Sequence, residues 1–95
     1  MRQVIINSIQ KKFKKDPNLF FLTGDLGFGV VDKIKNNKNF INCGAAEQNM
    51  TLTAAGLAIE GNTVVTYSIG NFPSLRCLEQ IRNSIVYHNL NVKII

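Results

Sequence analysis

The chain has no tryptophan, one histidine and two cysteines, and only six of its 95 residues are acidic. Each scarcity closes a class of function. Cys43 and Cys77 lie far apart, no Cys-x-x-Cys pair occurs and His88 stands alone. Neither a zinc site nor a disulfide framework is therefore expected, and both thiols read as reduced core residues. No run of about 18 apolar residues is present, so no membrane-spanning helix is expected. The N-terminal stretch "MRQVIINSIQKKFKK" lacks the apolar centre and small-residue cleavage site of a secretory signal, and it is poor in Ser and Arg for a transit peptide. A cytoplasmic location is the expectation. Six acids against eleven Lys and Arg leave a net charge of +5, which invites a nucleic-acid reading. Four of those basic residues, Lys11, Lys12, Lys14 and Lys15, sit together without the interleaved aromatics of a stacking platform. They read instead as the solvated face of a helix whose last turn opposes the negative end of its dipole.

What is present describes one small α/β domain. Ile5, Ile9 and Phe13 recur at four-residue steps beside Ile6, which predicts an amphipathic helix over about 3–15 ending at Asp16-Pro17. "LFFLTGD" from Leu19 is a short apolar run closed by Gly and Asp, as in a strand covered on both faces. "FGVVDKI" reads as a weak helical turn or loop, "FINCG" as a second strand and "TVVTYS" as a third. A helix from Glu47 that ends at Gly61-Asn62 lies between the second and third. "PSLRCLEQIRNSIVYH" places Leu75, Leu78, Ile81 and Ile85 along one stripe and leads to a last strand, "VKII". Strands alternating with crossover helices predict a three-layer sandwich: a short, mostly parallel sheet with helices on both faces. Because the chain stops within "VKII", without a covering helix, a shortened domain or a covering partner is expected.

Ligands of such sheets bind beyond the carboxyl ends of the strands, where "TGDLGFG", "GAAEQ" and "SIGNF" should converge. The glycine spacing of the first, Gly24-x-x-Gly27-x-Gly29, is not that of a dinucleotide or P-loop site, so tight turns explain it as well as a phosphate cradle does. Glu47 in the second is the informative residue. A carboxylate in a helix's first turn is stabilised by the dipole, and that alone would account for it. The helix that follows, however, is apolar around nearly its whole circumference: Met50, Leu52, Ala54, Ala55, Gly56, Leu57, Ala58 and Ile59. Such a helix is expected to be covered on every side, one side by another subunit or domain. A carboxylate at the mouth of so dry an environment must be paired, hydrogen-bonded or shifted in pKa, which makes it a candidate proton-handling group.

"AAEQNMTLTAAGLAIEGNTVVTYSIGNF" resembles the pyrimidine-binding domain of transketolase-type thiamine diphosphate enzymes, and most closely the C-terminal half of transketolases encoded as split halves. The resemblance runs from about Leu19 to the end and makes residues 1–95 a partial pyrimidine-binding domain. It implies thiamine diphosphate as cofactor. It also implies that Glu47 hydrogen-bonds a ring nitrogen of the aminopyrimidine, favouring the imino form that takes the thiazolium proton to give the ylid. Two-carbon ketol transfer or decarboxylation would follow, on a sugar phosphate or 2-oxo acid. Phe72 matches the aromatic that stacks on the pyrimidine, Asp25 an acid near the thiazolium side, and Gln48 an outer neighbour of the site. Tyr67 and Ser68 lie close to the same edge, with core or turn roles the simpler reading. The family's Gly-Asp-Gly segment for pyrophosphate and magnesium is absent here, so a separate pyrophosphate-binding half is implied as partner, holding the metal, in a homo- or hetero-oligomer. The alternative is a non-catalytic remnant or dimerisation module of the same fold.

Overall fold

The computed structural model describes all residues from Met1 to Ile95. α1 (Arg2–Phe13) is followed by β1 (Leu19–Thr23), β2 (Phe40–Asn42), α2 (Glu47–Ile59) and β3 (Thr63–Tyr67). A 3-10 turn at Leu75–Cys77, one α-helical turn at Leu78–Gln80 and a π-helical stretch at Ile81–Val86 then lead to β4 (Val92–Ile94). The four strands form one sheet in the order β2-β1-β3-β4, and all three pairings are parallel. The connection from β1 to β2 steps one way across the sheet and the connection from β2 to β3 steps back. Right-handed crossovers therefore put the two connections on opposite faces.

The core follows that division. Alternate strand residues Leu19, Phe21, Val65 and Tyr67 pack with Ile6 and Ile9 of α1 and with Val31 and Ile34 of the β1–β2 connection. Their neighbours Leu22 and Val64 face the other way, against Met50, Ala54 and Ala58 of α2. Phe21 stacks on Phe40 across the β1–β2 pair, ring centres 5.8 Å apart, and meets Tyr67 at 6.0 Å. The predicted three-layer α/β sandwich is thus the observed fold. The lysines at 11, 12, 14 and 15 are exposed, and no helix is long and apolar enough to cross a membrane.

The β1–β2 connection runs as successive turns, bonded Val31 to Gly27 and Lys35 to Val31, in line with the weak helical turn or loop expected for "FGVVDKI". Glycines on either side of Phe28, each with positive φ, break any regular helix there. One expectation needs correction: the stripe Leu75-Leu78-Ile81-Ile85 does not face inward as a unit. Leu75 and Leu78 are exposed, at 71% and 61%, while Cys77 and Ile85 are buried. A straight α-helix would align that stripe, but a 3-10 turn followed by a π-stretch changes the angle per residue twice and rotates it. Within this chain α2 buries Met50, Thr51, Ala54, Ala55 and Ala58, whereas Leu52 and Ile59 are exposed on the side expected to meet another subunit or domain. Of the two thiols, both free, Cys77 is buried and Cys43 only partly so, and burial raises the Cys43 pKa.

Candidate functional site

In this strand order the direction of the connections reverses between β1 and β3, which is where a parallel sheet opens a crevice at its carboxyl edge. β1 and β3 are paired through Thr23 and Tyr67, and the Gly24 N–H extends the ladder by donating to the Tyr67 carbonyl at 3.3 Å. Glu47 opens α2 over that point. The connection from β2 turns through Gly44 at φ 73°, and Ala46 caps the helix without a side-chain bond, leaving the Glu47 carboxylate near the free N–H groups of the first turn. Only 7% of Glu47 is exposed. Its Oε1 accepts from Ser68 Oγ at 3.2 Å, and its Oε2 has a 4.0 Å contact with Arg76 Nη1. A Cβ added to Gly24 would stand 3.4 Å from both Glu47 Oε1 and Ser68 Oγ and 3.5 Å from the Gly44 carbonyl. The loops after β1, β2 and β3 therefore meet at this one carboxylate.

The aromatic loop joins them through Arg76, whose guanidinium carbon lies 4.0 Å over the half-buried Phe72 ring. The loop itself is braced by Cys77 Sγ, which donates to the Phe72 carbonyl at 3.2 Å. Gln48 is exposed, and its Nε2 donates to the Arg76 carbonyl at 3.2 Å, tying the start of α2 to the turn after Phe72. Glu47, Phe72 and Gln48 thus share one neighbourhood. Asp25 lies apart, toward β2, in the left-handed conformation at φ 58°. Asn42 clasps it there: Asn42 Nδ2 donates to Asp25 Oδ1 at 2.9 Å, and Asn42 Oδ1 accepts from the backbone N–H of Asp25 and of Gly44, each at 3.0 Å. Beside it is a shallow cleft lined by Thr23, Leu26, Phe28, Phe40 and Asn42. His88 is exposed at the far end of the last helical segment.

Sequence reasoning missed Arg76 and Asn42. Arg76 follows Phe72 at a four-residue step, a spacing that brings side chains together on a helix, but the irregular turn hid it. Asn42 ends a strand just before a glycine, where a side chain that satisfies two backbone N–H groups is at home. Ser68, read as core or turn, is the direct partner of Glu47. Chemically, the arrangement offers a buried carboxylate with one oxygen oriented by a hydroxyl, a flat aromatic surface nearby, and a second carboxylate on the other side of the β1 loop.

Comparison with known proteins agrees with this geometry. The family described as the transketolase pyrimidine binding domain matches residues 1–95. A protein of Methanocaldococcus jannaschii, provisionally named a transketolase C-terminal section, is 42% identical over 85 residues, covering 86% of this chain and 27% of that protein. The 6-deoxy-6-sulfo-D-fructose transketolase subunit SqwH of a Clostridium species (strain MSTE9) is 32% identical over 98 residues, covering 100% of this chain and 30% of the subunit. A solved structure described as a split gene transketolase, inactive beta4 tetramer, superposes with a TM-score of 0.85 at 34% identity, covering 98% of this chain and 32% of that one. This chain spans about a third of the length of these relatives, or slightly less. With the family matched from end to end and the fold shared, the chain belongs to the transketolase pyrimidine-binding domain family.

Proposed function

We propose that this chain supplies the pyrimidine-gripping part of a thiamine diphosphate-dependent, transketolase-like transferase, and that residues 1–95 are a partial pyrimidine-binding domain. The observation that carries the reading is the placement of Glu47: a buried carboxylate at the reversal point of a parallel sheet, with Ser68 on one oxygen. The donor set fits an aminopyrimidine. Oε1 is fixed by Ser68, while Oε2 has only a long contact and keeps lone pairs for a ring nitrogen. When bound, thiamine diphosphate supplies the nucleophilic carbon and the electron sink for moving a two-carbon ketol unit.

The protein's part is to hold and polarise. Glu47 Oε2 would accept the hydrogen bond from the ring nitrogen, a charge-assisted contact suited to favouring one tautomer of the ring and so to setting where its proton resides. Ser68 keeps the carboxylate in that posture, Phe72 would offer a flat surface to the ring, and Asp25, held by Asn42, would serve the thiazolium side. Gln48 acts indirectly, through the Arg76 backbone. No group of three His, Cys, Asp or Glu side chains comes together in this chain. The same reading assigns magnesium and the pyrophosphate to a separate half of the enzyme, and the outward face of α2, with Leu52 and Ile59 exposed, to contact with another subunit. The split-gene neighbour, described as an inactive beta4 tetramer, supports self-association of this chain, and on this reading the chain alone is inactive.

A second reading, a dimerisation module without chemistry, is favoured by the same outward apolar face, which needs no carboxylate. Glu47→Gln separates the two. In the complex with the pyrophosphate-binding half, this change should slow exchange of the cofactor's thiazolium carbon proton with deuterated solvent by at least about a hundredfold. Unchanged exchange would leave the dimerisation module as the function.

A further inference from the structure

Arg76 stands where two of the proposed ring contacts meet. Its guanidinium lies 4.0 Å over Phe72 and 4.0 Å from Glu47 Oε2, so it bridges the aromatic face and the carboxylate. The backbone of the same residue is fixed: its carbonyl accepts from Gln48 Nε2 at 3.2 Å, and its N–H donates to the Asn71 carbonyl at 3.0 Å. The side chain is 51% exposed. A held stem thus carries a head with open solvent beside it. The guanidinium is planar, cationic and rich in N–H groups. Laid on an aromatic face beside a carboxylate, it makes the two kinds of contact, stacking and N–H to carboxylate, that a flat amino-heterocycle would make in the same gap.

We propose that Arg76 is a placeholder: in the ring-free protein its guanidinium fills the gap between Phe72 and Glu47, and an entering aminopyrimidine displaces it toward solvent. This rests on the functional reading above. The contacts suit a temporary occupant. An exposed cation–π contact is weak, and so is an ion pair at 4.0 Å with one partner half in water. A short bidentate pair would have closed the site, whereas an apolar side chain here would have left Glu47 without a counter-charge. Gln48 and Asn71 keep the backbone in place as the head leaves, so the displacement is a rotamer change without movement of the loop.

The test uses the enzyme assembled from this chain and its pyrophosphate-binding half. Thiamine diphosphate is titrated by calorimetry into assemblies carrying the wild-type chain, Arg76→Ala, Arg76→Gln, Phe72→Ala or Glu47→Gln. In the wild type, the Arg76 side-chain protons are also followed by NMR. Removing the competing guanidinium should tighten cofactor binding about two- to fivefold in both Arg76 variants. The upfield ring-current shift of the Arg76 side chain should vanish as cofactor is added. Weaker or unchanged binding in the Arg76 variants, or a ring-current shift that persists in the loaded enzyme, overturns the placeholder. If Glu47→Gln and Phe72→Ala bind as tightly as wild type, the functional reading itself falls and the placeholder with it. If those two weaken binding while the Arg76 variants also weaken it, only the placeholder falls.

Discussion

At Ser68 a single hydroxyl aims the carboxylate on which the proposed chemistry depends. Both groups are buried, and the bond joins a neutral donor to an acid, the class worth more than an ordinary hydrogen bond. Ser68→Ala should therefore leave the fold intact, with an unchanged circular-dichroism spectrum. Cofactor affinity or thiazolium-proton exchange in the assembled enzyme should fall about tenfold, or ~1.4 kcal/mol. An effect on melting alone would demote Ser68 to a structural role. At this scale the sequence showed Glu47 well, because one acid heading an otherwise apolar helix is conspicuous. It could not show which hydroxyl would reach that acid. Ser68 lies 21 positions away and is brought over only by the parallel register of β1 and β3. Asp25 was legible as an acid after a strand, but its left-handed backbone and its clasp by Asn42 depend on where β2 ends.

Among the elements, those with a simple period were readable and those that change period were not. α1, β1 and α2 follow from four-residue steps or compact apolar runs, and they form within a residue or two of where those patterns place them. The segment after Phe72 passes through three helical geometries in twelve residues, so no single period describes its buried side. The β1–β2 connection likewise depends on local backbone geometry. Gly27 sits there at φ 89°, and an added Cβ would come within 3.0 Å of Tyr67 Cε1 and of Val31 Cγ1. Both the conformation and the space exclude a side chain. Gly27→Ala should destabilise the domain by about 1–3 kcal/mol, read as a lower urea midpoint with an unchanged slope. Full stability would mean that the connection can repack around Tyr67.

For the whole molecule, the decisive feature is that one face of α2 is filled by the sheet while the other shows Leu52 and Ile59. If that outer face meets a second subunit, the double change Leu52→Glu and Ile59→Glu should weaken association by at least tenfold, ~1.4 kcal/mol, in sedimentation or mass photometry, because charge would be driven into an apolar contact. Unaltered assembly would place the contact elsewhere. The fold class and its layers were legible, since alternation of element types dictates a parallel sheet. The strand order was not, because no local pattern says on which side of β1 the next strand will settle. That order has one further effect. β1 and β3 pair over five residues at the centre, whereas β2 is joined to β1 over only three. Thermal fraying begins at such a short margin, so the β1–β3 seam beneath Glu47 would part after the β2 edge, and the proposed grip on an incoming heterocycle would outlast the loosening beside it.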